Sequence, residues 1–418
     1  MEQSMKEKKN WSMVGRNADT MPLSEIDISH PGIWREGTYK PFLARLRRDA
    51  PVHYCAESAV GSYWSITKYR DIMHVDTSHD VFSSEPTIGI IDAPEDFQQA
   101  MFIAMDPPKH DEQRKAVQGA VAPPNLKLLE GVIRERAAKL LDACPVGEEF
   151  NWVDYVSVEL TTQMLATLFD FPFEDRHLLT YWSDVSTAIP GGGIIDSYDE
   201  RETILQECAE YFGRLFVERS KQPPKGDFIS MLAHSEATKS MPPHEFLGNL
   251  LLLIVGGNDT TRNSISGGVL ALNENPAEYD KLRANPTIIP NMVSEIIRWQ
   301  TPLAHMRRTA NMDVNLGGQT IKKGDKVIMW YASGNLDDEV IENADQFIID
   351  RKNARQHLSF GFGIHRCMGN RLAEMQLRIV WEEIMKRFSF VEVVGEPQRI
   401  YSSFVKGYTH LPVKVHPL

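Results

Sequence analysis

No run in this sequence is both apolar and long enough to cross a bilayer. The strongest candidate, Leu250-Leu251-Leu252-Leu253-Ile254-Val255, is far short of the roughly twenty residues a membrane helix needs. The N-terminus, from Met1 to Trp11, is polar and lysine-rich and has no apolar signal segment. Cysteine is scarce. Cys55, Cys144, Cys208 and Cys367 are far apart and follow no disulfide or zinc spacing, which fits a reducing compartment. Positive charge is in deficit: 45 Lys and Arg face 57 Asp and Glu, a formal net charge of -12. That balance disfavours nucleic acid and anionic membranes as general partners. Internal repeats and low-complexity linkers are missing as well. What remains is an ordinary globular balance, 42% hydrophobic and 24% charged, in 418 residues that can bury a large core. A cytoplasmic protein without a membrane anchor is expected.

Helical texture dominates. Tyr39 to Ala50 reads as the first helix, after an irregular segment up to Gly37. Tyr63 to Ile66 and Lys68 to Val75 read as a strand and a helix. Phe82 to Met105 reads as a long loop, a kind of segment that is often functional. Helices are expected over 109–121 and 126–143, separated by Pro123-Pro124, then over 153–169, 173–184, 199–220, 227–235 and 243–273. Two more follow at 277–285 and 288–301. Strands are expected around 308–314 and 326–329, and the tail from Phe390 to Val415 alternates like a strand. The reading is a mainly α fold, one large helical domain over 1–418 with a minor β region.

The chemistry is concentrated in Phe360-Gly361-Phe362-Gly363-Ile364-His365-Arg366-Cys367-Met368-Gly369. A lone cysteine is ordinarily a small buried hydrophobe, and the other three are read that way. Cys367 instead follows a glycine-broken loop and precedes a helix-like run, Asn370 to Phe388. Glycines let backbone approach a flat ligand closely, and amides at a helix start stabilise a thiolate. Such a thiolate suits axial ligation of haem iron. A zinc reading of His365-x-Cys367 lacks two further nearby ligands.

This phrase resembles the signature of the cytochromes P450, haem-thiolate monooxygenases, at Phe360, Gly363, Cys367 and Gly369. Further motifs occur in the family's order. Glu295-Ile296-Ile297-Arg298 alone would read as a surface ion pair. Here it resembles the family's Glu-x-x-Arg motif, completed by Arg351, and implies a structural network under the cysteine loop. Gly256-Gly257-Asn258-Asp259-Thr260-Thr261 resembles the distal helix. The resemblance implies that Asp259 and Thr260 manage protons during dioxygen activation. It also implies that haem b takes Cys367 as its thiolate ligand and that His110, Arg114, Arg308 and His365 meet its propionates.

The resemblance further implies electrons from NAD(P)H through a ferredoxin reductase and a ferredoxin. Lys352, Arg355, Arg366, Arg371 and Arg378 are candidates for a local basic docking face. A monomer is expected. The wording around Asn258, Leu303 and Met368 resembles the bacterial alkane-hydroxylase subfamily. That implies terminal hydroxylation of medium-chain alkanes, or of related alkyl substrates such as fatty acids. Ile88, Ile90, Ile91, Leu252, Val255, Gly256, Leu303, Phe404 and Val405 are the candidates for a hydrophobic substrate pocket. Three readings stay open beside it: a hydroxylase of terpenes or other alicyclic compounds, a peroxygenase, and a noncatalytic haem sensor or electron carrier.

Overall fold

The computed structural model describes residues 13–92 and 100–418. Among them the helices run α1 (Pro31–Arg35), α2 (Tyr39–Asp49), α3 (Tyr69–Thr77), α4 (Lys109–Val117), α5 (Pro123–Asp142), α6 (Glu159–Phe169) and α7 (His177–Thr187). They continue with α8 (Tyr198–Ser220), α9 (Phe228–His234), α10 (Pro243–Glu274), α11 (Pro276–Ala284), α12 (Ile289–Gln300), α13 (Tyr331–Gly334) and α14 (Asn370–Ile384). The strands are β1 (Val52–Cys55), β2 (Tyr63–Ile66), β3 (Phe82–Ser83), β4 (Phe150–Asn151), β5 (Met306–Ala310) and β6 (Val314–Leu316). The rest are β7 (Gln319–Ile321), β8 (Lys326–Met329), β9 (Phe388–Val393), β10 (Gln398–Arg399), β11 (Tyr408–His410) and β12 (Pro412–Pro417).

The axis of the molecule is α10. Its 32 residues extend about 48 Å at 1.5 Å per residue. It is buried on nearly every side, and polar residues such as Asn258, Asp259, Arg262 and Asn263 are buried with the apolar ones. It packs against α6, α7, α12 and α14. Around it lies the largest core cluster, which includes Trp152, Phe169, Phe212 and Trp381. A five-stranded sheet in the order β1-β2-β8-β5-β3 stands to one side. The β10–β11 hairpin is separate, pairing Arg399 with Tyr408 and returning the chain through residues 400–407.

Pro123 and Pro124 do not interrupt a helix; they start one. α5 begins at Pro123, where a missing N–H costs nothing because the first turn has no acceptor for it. The expected helix at Val153 opens with a π-helical turn, Val153–Val158, before becoming α6. The N-terminal segment expected to be irregular carries a short 3-10 turn, Leu23–Glu25, and α1. Trp34 at the end of α1 stacks on Tyr39 and Trp330 at centroid distances of 4.3 and 5.6 Å. That segment is part of the core. β1 had no counterpart in the sequence reading; its partner is the expected strand β2.

Candidate active site

α10 and the loop before α14 face each other across a cavity of about 1010 Å³. Cys367 lies deep in the molecule, yet its side chain is accessible because it opens into this space. Its amide donates to the Phe360 carbonyl at 2.8 Å, closing the loop. Gly361 and Gly363 sit at φ +63° and +67°, the left-handed region that other residues adopt only at a cost. Burial pushes the Cys367 thiol up. The Gly369 amide, the Arg114 and Arg366 guanidiniums and the Asn370 amide oppose that push.

On the opposite wall the two glycines of α10 have different uses. A Cβ on Gly257 would lie 2.7 Å from the end of the Leu165 side chain, so this glycine lets α6 pack closely against α10. A Cβ on Gly256 would meet nothing within 4 Å, so this one keeps the cavity open. The Thr260 hydroxyl donates to the Gly256 carbonyl at 2.9 Å and lines the cavity. The Asp259 carboxylate does not line it. Neighbours on an α-helix point about 100° apart, and Asp259 turns toward Arg262, 2.6 Å away, which also pairs with Asp184. Burial raises the Asp259 carboxyl to about 6 against the pull of Arg262.

One end of the cavity is cationic. Arg114, Arg308 and His365 line it, and His110 packs on His365 with ring centroids 4.2 Å apart. Arg308 pairs with Asp76 at 2.7 Å. Burial, followed by the charges of Arg308, His110 and Arg114, pushes His365 down to about 2. Both ring nitrogens of His365, Nε2 of His110 and Nε of Arg308 are buried without a hydrogen-bond partner. An anionic group with several acceptor oxygens fits such a cluster. The thiol beneath the cavity and the cations at one end thus match a flat iron macrocycle with carboxylate arms.

Glu295 and Arg298 are fully buried and joined by two bonds of 2.7 and 2.8 Å. Arg351 donates to Glu295 at 3.0 Å. Arg298 and Arg351 then donate to the carbonyls of Asn335, Asn343, Ala344 and Gln346. The three residues therefore gather the irregular stretch ahead of the cysteine loop.

Of the apolar candidates, Ile88, Ile90, Ile91, Leu252, Val255, Leu303 and Phe404 line the cavity, as does Gly256. Val405 does not. It is fully buried behind Phe404, with its backbone bridged to Leu303. The wall at Leu303 follows a strained residue: Thr301 ends α12 at φ 41°. Its hydroxyl donates to the Arg298 carbonyl at 2.6 Å and accepts from Asn335 at 2.8 Å.

Two residues escaped the sequence reading. Asp76, on α3, accepts from Arg308, the Tyr331 hydroxyl and the Phe362 amide, so it ties the cationic end to the cysteine loop. Arg201, on α8, lines the cavity with its guanidinium 4.7 Å from the centroid of Tyr198. It has no ion pair among the described residues, and its Nε is buried without a partner. Neither residue belongs to a local motif. Among the basic candidates near the cysteine, Arg366, Arg371, Lys352 and Arg355 are exposed. Arg378 is not available for docking: it pairs with Glu130 and Glu382 at 2.7 and 2.8 Å.

The family model for cytochrome P450 matches residues 195–414. Linalool 8-monooxygenase of Pseudomonas putida is 35% identical, covering 94% of this chain and 100% of its own. The methyl-branched lipid omega-hydroxylase of Mycobacterium tuberculosis (strain ATCC 25618 / H37Rv) is 30% identical over 94% and 95%. The solved structure of cytochrome P450-153 from Novosphingobium aromaticivorans is 48% identical, with a TM-score of 0.88 over 93% of this chain and 99% of that one. Fold and site together define a haem-thiolate monooxygenase. The chain belongs to the cytochrome P450 family, and its cofactor is haem b with a cysteine thiolate ligand. Among the described residues no helix is long and apolar enough to cross a membrane.

Proposed function

We propose that this monooxygenase hydroxylates the terminal carbon of medium-chain alkyl substrates, alkanes or fatty acids. The observation that carries the reading is the apolar lining of Ile88, Ile90, Leu252, Val255, Leu303 and Phe404 around the cavity into which Cys367 opens. The similarity to cytochrome P450-153 and to an omega-hydroxylase supports it. Haem bound to the Cys367 thiolate supplies reductive activation of dioxygen and insertion of one oxygen atom into a C–H bond. The balance is one alkyl C–H, one dioxygen, two electrons and two protons giving an alcohol and water.

The residues of this chain do the rest. Arg114, Arg308, His110 and His365 hold the propionates. The Thr260 hydroxyl donates to the Gly256 carbonyl and leaves its oxygen, on the cavity side, to accept from a proton carrier. Asp259, buried beside Arg262 and Asp184 on another face of α10, is the acid that supplies protons to this hydroxyl. The apolar wall excludes water and presents a chain end, since a terminal C–H is stronger than an internal one and is selected only by position. A ferredoxin and its reductase deliver the electrons to the exposed face around Arg355, Arg366 and Arg371.

Arg201 favours the fatty-acid arm. A half-buried guanidinium without a counter-ion lines an otherwise apolar region of the cavity, and a substrate carboxylate would pair with it. Turnover with a ferredoxin system should be compared for octane, medium-chain fatty acids, limonene and a bulky terpene. Terminal alcohols from the linear substrates are expected. Exclusively internal or ring oxidation would defeat the proposal. Preference for the acid over the alkane, lost in Arg201→Leu, distinguishes the two arms.

A further inference from the structure

A second cavity, of about 180 Å³, lies among α2, the C-terminal end of α10 and the β10–β11 hairpin. Its chemistry is unlike the first. Lys40, Arg399 and Lys406 line it, and Glu274 is its one carboxylate. Trp34, Tyr39, Trp299 and Tyr408 form aromatic walls. None of the three cations has an ion-pair partner within 4 Å among the described residues. The Lys40 ammonium stands over the Trp299 ring at 4.1 Å. Lys406 donates only to the Trp299 carbonyl, at 3.0 Å. Arg399 makes a distant ring contact, 5.9 Å from the Tyr408 centroid.

These charges repel one another. Burial pushes the Lys406 ammonium well below its ordinary value, and Lys40, Arg399 and Arg298 push the same way; Glu274 alone opposes them. Lys40 is lowered by burial too; Glu274 and Asp345 oppose this, and Arg298 and Arg399 add to it. Three basic side chains lining one concave space against a single carboxylate form a site where a bound anion would restore their protonation. Carbonyl capping explains one of the three: Lys406 satisfies the end of α12. It leaves Lys40 with only the Trp299 ring and Arg399 with only the distant Tyr408 ring, neither of which carries a negative charge.

We infer that this cavity binds a small oxyanion, a phosphate or carboxylate group, held by Lys40, Arg399 and Lys406. Arg399 and Lys406 belong to the hairpin segment, whereas Lys40 belongs to α2. One bound anion therefore pins the hairpin to the helical body. Ser402 lines both cavities, and Phe404, two residues further along, forms part of the substrate wall. The Phe404 carbonyl also accepts from Ala304 at 2.8 Å. Anion binding thus tightens a wall of the active-site cavity from behind.

The test uses the haem-loaded enzyme at constant ionic strength, with sodium chloride exchanged for sodium phosphate or sodium acetate. Thermal unfolding and calorimetric titration are read for wild type, Lys40→Gln, Arg399→Gln and Glu274→Gln. Saturable stabilisation by phosphate alone, by acetate alone or by both is expected, and the pattern identifies the group. Arg399→Gln and Lys40→Gln each weaken it about tenfold or more, the scale of one lost charge-assisted bond. Glu274→Gln strengthens it severalfold, a gain that a merely damaged protein cannot show. Equal effects of chloride, phosphate and acetate, or binding unchanged in all three variants, would overturn the inference.

Discussion

At the scale of single residues, orientation decides function more than identity does. Asp259 and Thr260 are adjacent, yet only Thr260 faces the cavity. A threonine hydroxyl that already donates to Gly256 keeps its oxygen as an acceptor for a proton carrier. Thr260→Ala should leave haem content and folding intact, while product per NAD(P)H falls severalfold and hydrogen peroxide rises. Preserved coupling, measured as product against NAD(P)H consumed, would remove Thr260 from the proton route. The acid–alcohol pair was legible in the sequence because its spacing is a motif. The turn of Asp259 toward Arg262 was not, since Asp184, the other partner, lies far away in the chain. Arg201 and Asp76 were illegible for a related reason. Each is an ordinary surface-type residue until the fold brings it to the cavity.

At the scale of elements, buried charge joins segments that apolar packing leaves loose. The Glu295 carboxylate holds two arginines and the Ile348 amide at the middle of α12. Glu295→Ala strands two buried guanidiniums, a change that costs about 3–5 kcal/mol. The expected result is a lower melting temperature and sharply reduced haem content, read as absorbance per protein. Full haem loading would argue against a structural role. A second junction ties α14 to α5. Glu383, 3% exposed, accepts from Arg134, Lys386 and Arg387 at 2.8, 2.7 and 2.6 Å. Burial works against its ionisation, yet these cations hold its carboxyl down to about 2, below its ordinary 4.5.

Because the folded value is depressed, this contribution to stability is fully present above pH 4.5 and is lost as pH falls toward 2. Denaturant titrations should therefore find Glu383→Gln less stable than wild type at pH 7, with the gap shrinking below pH 4.5. A gap independent of pH would refute the linkage. Long helices such as α8 and α10 were readable to within a residue or two because no proline interrupts either one after its first residue. β1 was not readable: a four-residue strand takes its identity from its partner, β2, rather than from its own pattern.

At the scale of the whole molecule, charge is distributed unevenly. A chain of formal net charge -12 presents exposed Arg355, Arg366 and Arg371 beside its most reactive loop. Such a local patch inside an acidic field steers an acidic partner toward one face. Arg366→Glu should slow reduction by ferredoxin at low ionic strength, about tenfold or more, with the difference fading as salt screens it. Stopped-flow reduction checks this, and rates unaffected at low salt would place the docking face elsewhere. The helical class with a minor β region was evident from composition and periodicity. The arrangement around α10 was not, because it depends on contacts between distant segments.

Thr301 carries a longer consequence. A β-branched residue at positive φ, followed directly by Pro302, stands where the backbone would accept glycine more readily, by roughly 1–3 kcal/mol. Relief of that strain is open to a single codon change, but it would also release the turn that sets Leu303. Glycine at 301 would also lose the hydroxyl that bonds the Arg298 carbonyl and Asn335, so heat selection should keep threonine there, and the strained turn endures because its own side chain anchors it.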